Sequence, residues 1–106
     1  MTRKDIDGKK LTIGRREYTI NIKESLQDND WGQARHANSE ILVRGDLDES
    51  SFMETIWHEI VHCMLDATGR IEEKKNEGLC DILGKMIWWL FQDNPWLVEL
   101  AKKKGI

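Results

Sequence analysis

The sequence predicts an α+β domain, with a small antiparallel or mixed sheet at its N-terminal end and helices after it. Two observations carry this. Tyr18, Ile20 and Ile22 alternate with Glu17, Thr19, Asn21 and Lys23, the period of a strand buried on one face. From about Ser50 the apolar residues return at helical spacing instead. The length and the single proline, Pro95, fit one domain over residues 1–106 with one modest core.

The sheet is expected over about 9–45. Leu11 and Ile13 alternate before a turn at Gly14-Arg15, and the Tyr18–Ile22 strand follows it. Asp28-Asn29-Asp30 reads as a loop. Trp31 to His36 is the next strand and Ala37-Asn38-Ser39 a hairpin turn. Glu40 to Arg44 is the last strand, with Ile41 and Val43 on one face. A helix follows over about 50–68, where Ser51-Phe52-Met53-Glu54 fits a capping box and Gly69 a C-terminal cap. Glu72-Glu73-Lys74-Lys75 is a solvated turn or helix start. Leu79, Ile82, Leu83, Met86, Ile87, Leu90 and Phe91 mark a second helix over about 74–92. Gly78 and Gly84 inside it cost about 1 kcal/mol each relative to alanine. A close crossing against the first helix would account for both. Asp93-Asn94-Pro95 starts a third helix over about 95–104, with proline in its first turn. Trp88, Trp89, Phe91 and Trp96 are expected to fill the core.

The chemistry is concentrated at His58-Glu59-Ile60-Val61-His62. Histidines four apart on a helix stand on one face, one turn above each other, and can share a metal ion. Glu59 stands beside that metal, placed to take a proton from water. A helix this apolar carries three such polar groups only at a cost unless they have partners. Zinc requires a third protein ligand, and a catalytic site keeps its fourth position open. No histidine follows His62, which excludes a third histidine downstream. The candidates are Asp66, Glu72, Glu73, Glu77, Cys80 and Asp81. Glu77 is preferred, because a helix crossing at the glycines would bring it to the histidines. Glu77 and Asp81 share a helix face.

Asn76-Glu77-Gly78-Leu79-Cys80-Asp81 resembles the N-E-x-x-x-D glutamate helix of the thermolysin-like gluzincins. The small size is similar to the minimal gluzincins (minigluzincins) and to the phage- or bacterial-type HExxH proteins of the ImmA/IrrE-like kind. The resemblance implies a small zincin-like fold. It implies Zn2+ held by His58, His62 and Glu77, with Asp81 behind His58 and Asn76 near His62. It also implies hydrolysis of a peptide bond with Glu59 as general base. His36, Tyr18 and Arg35 are the candidates to steady the oxyanion. In zincins the strand close before the metal helix forms the cleft edge, a role that falls here to Glu40–Arg44. In minimal gluzincins a C-terminal segment holds the enzyme latent.

The partner expected is a peptide or protein substrate. The net charge of −3 offers no electrostatic support for nucleic-acid binding. No apolar run reaches transmembrane length and no signal pattern opens the chain, so a cytoplasmic protein is expected. There Cys63 and Cys80 would be free, buried thiols. The alternative is a catalytically silent, zinc-stabilised protein-binding domain. Its site would be closed by four protein ligands, with Cys63 or Cys80 as the fourth.

Overall fold

In the computed structural model, which describes residues 2–103, the N-terminal half builds one four-stranded mixed sheet. Strands β1 (Lys10–Ile13) and β2 (Arg16–Lys23) form a hairpin around Gly14, whose φ of +64° suits glycine. β3 (Gly32–Arg35) and β4 (Glu40–Arg44) form a second hairpin through a 3-10 turn at His36–Asn38. β4 inserts parallel to β2, with Ile20 opposite Ile41 and Ile22 opposite Val43. The order is β1-β2-β4-β3.

This order corrects one expectation. Glu40–Arg44 is an interior strand with all three central residues buried, and the sheet edge on that side is β3. Three consecutive apolar residues, Ile41-Leu42-Val43, are the pattern of a strand covered on both faces.

Five α-helices complete the α+β domain among the described residues. α1 (Arg3–Ile6) is a single turn closed by a Thr2–Asp5 capping box. α2 (Glu49–Ala67) lies across the sheet, packing Phe52, Ile56 and Cys63 against Tyr18, Ile20, Ile41 and Val43. Its N-cap is Asp48, whose carboxylate accepts from the Ser51 main-chain N–H at 2.8 Å. The cap therefore sits three residues before the expected Ser51, because an ionised carboxylate also suits the positive helix end. α2 stops at Thr68, followed by Gly69 at φ +75°.

α3 (Ile71–Lys74) is a separate turn, so the next long helix, α4 (Glu77–Asp93), begins at an Asn76 cap rather than at Lys74. α4 crosses α2 closely at Gly84. A Cβ there would lie 2.9 Å from the His58 main-chain nitrogen and 3.0 Å from the Trp57 carbonyl carbon. Gly78 has a different reason for being tolerated, since a Cβ on it would meet only the Asn76 side chain, at 3.5 Å. Phe91 of α4 stacks on Trp57 of α2, with ring centroids 5.9 Å apart.

The tryptophans correct a further expectation. Trp89 and Trp96 are 50% and 60% exposed, and Ile82, Met86 and Leu90 are exposed with them. α4 packs mainly on α2, with the short α3 meeting only its start, so among the described residues its outer face has nothing to pack against. α5 (Trp96–Lys102) ends the described chain, with Lys103 as its C-cap. The Lys104 and Gly105 expected to finish this helix lie outside the described residues. No helix is long and apolar enough to cross a membrane.

Candidate metal centre

The close crossing at Gly84 sets the first turn of α4 beside the middle of α2. His58 and His62, one turn apart on α2, turn their Nε2 atoms toward each other at 3.1 Å. Glu77, the first residue of α4, reaches both: its carboxylate oxygens lie 3.0 Å from His58 Nε2 and 2.8 Å from His62 Nε2. The histidine side chains are 15% and 12% exposed, whereas that of Glu77 is 72% exposed. Among the described residues these three form the one such cluster of potential ligands.

Hydrogen bonding alone accounts poorly for this geometry. Two imidazole nitrogens that face each other and also face one carboxylate cannot all be matched donor to acceptor when both rings are neutral. One cation at the point of convergence satisfies every lone pair. Ligand atoms about 2.0–2.1 Å from a tetrahedral zinc lie about 3.3 Å from one another. The cluster needs to open by only a few tenths of an ångström, so a His, His, Glu donor set fits zinc in number, type and spacing.

The outer nitrogens of the rings are supported unequally. His58 Nδ1 lies 3.7 Å from Asp81 Oδ1, close enough for ion pairing but long for a hydrogen bond. His62 Nδ1 meets the Cys80 thiol at 3.6 Å, and the Lys74 main-chain carbonyl stands by the same ring. Asn76 does not take this place: its side chain accepts from the Leu79 N–H at 3.0 Å and is used as the α4 cap. Burial lowers the pKa of His62, against the nearby Glu77 charge, and so favours the neutral form that binds metal.

Glu59, the next residue of α2 after His58, is only 6% exposed. Burial first, then the charges of Glu77 and Asp30, push its carboxyl up to about 8. A dication beside it would pull the same group back toward ionisation. Strand β3 passes close over it: a Cβ on Gly32 would lie 2.6 Å from Thr55 Cγ2 and 3.1 Å from a Glu59 carboxylate oxygen.

Two hollows flank the cluster. One of about 210 Å³ is bordered by Asp30, Trp31, Gly32, Glu54, His58 and Glu59. The other, about 440 Å³, runs from Gly32–Ala34 past Glu59 and His62 to His36. The free edge of β3 borders both. Trp31, Gly32 and Thr55 had no motif to single them out in the sequence. The one signal was a glycine at the start of a strand, which marks a close backbone approach.

Of the oxyanion candidates, His36 reaches the second hollow. Tyr18 is 1% exposed in the core, where its hydroxyl meets His36 Nδ1 at 3.1 Å. Arg35 is turned to Gln33 at 3.1 Å. Neither cysteine joins the cluster. Cys63 lies in the sheet–helix core and Cys80 touches the far nitrogen of His62, and burial raises their pKa values to about 12 and about 11. The closed, four-ligand alternative therefore lacks its cysteine among the described residues. No residue of α5 borders either hollow, so the described tail does not cover the cleft.

No protein-family model, curated protein or solved structure matches the chain.

Proposed function

We propose that the chain is a zinc-dependent metallopeptidase with a zincin-like fold of the gluzincin type. The observation that carries this reading is the convergence of His58, His62 and Glu77 to within 3.1 Å of one another, with buried Glu59 alongside. His58, His62 and Glu77 are the ligands. Zinc held there would acidify water and polarise a carbonyl.

The protein's own residues supply the remaining steps. An extended peptide adds to the free edge of β3, main chain to main chain, which brings a scissile bond past Glu59. The Glu59 carboxylate takes the proton of the attacking water and passes it to the leaving amine. Burial lowers the pKa of His36, so its neutral ring is favoured. His36 Nδ1 lies 3.1 Å from the Tyr18 hydroxyl and 3.7 Å from Asp66; in this reading the hydroxyl donates to Nδ1, which leaves the ring proton on Nε2 for the developing oxyanion. Asp81 steadies the His58 ring.

Glu59→Gln keeps the shape and removes the base. It is expected to bind zinc as the parent does and to lose about 10²–10⁴-fold in peptide hydrolysis. Turnover of an internally quenched peptide mixture, with zinc content measured on the same sample, checks this. Undiminished turnover in that variant removes Glu59 from the reaction.

A further inference from the structure

The smaller hollow holds more carboxylate than a metal site uses. Asp30, Glu54, Glu59, Glu77 and Asp81 all border it, and among the described residues no lysine or arginine does. Glu77 faces the histidines, and Asp81 is paired with Lys85 at 3.1 Å. Asp30 and Glu54 form no close ion pair among the described residues, although Lys85, paired with Asp81, is near enough to feel the Glu54 charge. Asp30 accepts only from the Gln33 amide, at 3.2 Å. Trp31 stands at the same rim and is 51% exposed.

We propose that this hollow is a specificity pocket for a cationic side chain, lysine or arginine, of an extended peptide substrate. The inference rests on the peptidase reading of the neighbouring cluster and names the substrate class it takes.

Acidic residues alone would not carry it, since carboxylates on a surface are usually just solvated. The geometry adds two independent facts. Glu59 is more than nine-tenths buried, opens into this hollow, and its carboxylate has no hydrogen-bond partner among the described residues. A buried polar group without a protein partner points to one supplied from outside. An exposed indole beside two carboxylates that form no close ion pair also makes the surface a cation prefers, π face on one side and negative charge on the other.

The location fits the same occupant. A peptide paired to β3 sends alternate side chains to one face, and the hollow begins at the N-terminal end of that strand. Glu54 also borders a groove of about 530 Å³ between α2 and α4, where Glu49, Trp88 and Trp89 repeat the acidic and aromatic character. A substrate running that way meets one kind of surface throughout.

The test measures binding on the zinc-loaded, full-length protein with Glu59 in place, read within seconds of mixing so that little peptide is consumed. The probes are end-blocked hexapeptides, identical except for lysine, glutamine or glutamate at one central position, followed by fluorescence anisotropy. The lysine peptide is expected to bind about tenfold tighter than the glutamine one, and the glutamate peptide weakest. Adding Asp30→Asn and Glu54→Gln should bring lysine and glutamine within about twofold of each other, with zinc content and melting temperature unchanged. Raising salt from about 50 to about 500 mM should shrink the preference in the protein that keeps both carboxylates, which needs no further variant to fold. Equal binding of the lysine and glutamine peptides, no binding of any, or a preference indifferent to salt overturns the pocket. Zinc content reports on the metal centre separately: a lysine preference in protein that takes up no zinc would support the pocket while removing the peptidase reading.

Discussion

Helix α2 is held between the sheet and α4, whereas α4 leans on α2 with only the short α3 touching its start. Phe52, Ile56 and Cys63 fix α2 to the sheet, while α4 presses Gly84 against its opposite side at Trp57–His58. Along α4 only Cys80 and Gly84 are buried, and Ile82, Met86 and Trp89 face outward. The two histidines therefore sit on the helix packed into the core, whereas Glu77 depends on the crossing of α4 with α2 and on the short α3 before it. The proposed centre joins a half fixed in the core to a half carried by the exposed start of α4. Its integrity should respond to changes in α4 more through metal affinity than through loss of fold.

Three substitutions on α4 sharpen that contrast. The largest effect is expected from Glu77→Gln, which replaces the proposed charged ligand with an amide on an exposed position. It should weaken zinc by more than about 100-fold, beyond what loss of a supporting residue costs, with the metal-free melting temperature nearly unchanged. Competition against a chelator of known affinity reads the first quantity and calorimetry the second. Affinity within a few-fold of the parent would remove Glu77 from the centre.

Gly84→Ala comes next. The new methyl would meet main-chain atoms of Trp57 and His58, which cannot swing aside as a flexible side chain can. The helices must part, at about 1–3 kcal/mol of stability, and Glu77 retreats from the histidines, so zinc binding should fall as well. A variant as stable as the parent with the same zinc affinity would mean that α4 is not positioned at that contact.

Gly78→Ala should do the least, and with opposite sign. No main chain stands within 4 Å of its added Cβ, and alanine is the better helix former, so a gain of up to about 1 kcal/mol is expected. A loss there would indicate that the start of α4 is as crowded as its middle.

The pair of glycines also shows what could be read from the sequence. Two glycines in an apolar helix signalled a crossing, yet the same propensity cost carried no information on which one makes it. Only Gly84 does, because it lies on the helix face that continues from Cys80 toward α2. The histidine pair and Glu77 were legible because four-residue spacing places groups on one face whatever the rest of the chain does. β2 was legible through its alternation. The interior position of β4 was less so, since the order of strands depends on how the two hairpins pair. Asparagine serves equally as a helix cap and as a ring support, and at Asn76 the side chain caps the start of α4. The exposed Trp89 and Trp96 defeated a reading based on residue type: aromatic side chains fill a core only if an element covers them, and none among the described residues covers that side of α4.

X-ray absorption at the zinc edge, on protein purified, zinc-loaded and dialysed, tests the central claim most directly. It should show one zinc per chain with two imidazole nitrogens and carboxylate and water oxygens at about 2.0–2.2 Å. Failure to retain zinc, or a sulfur shell at about 2.3 Å, would contradict a centre built by His58, His62 and Glu77 with one position left open.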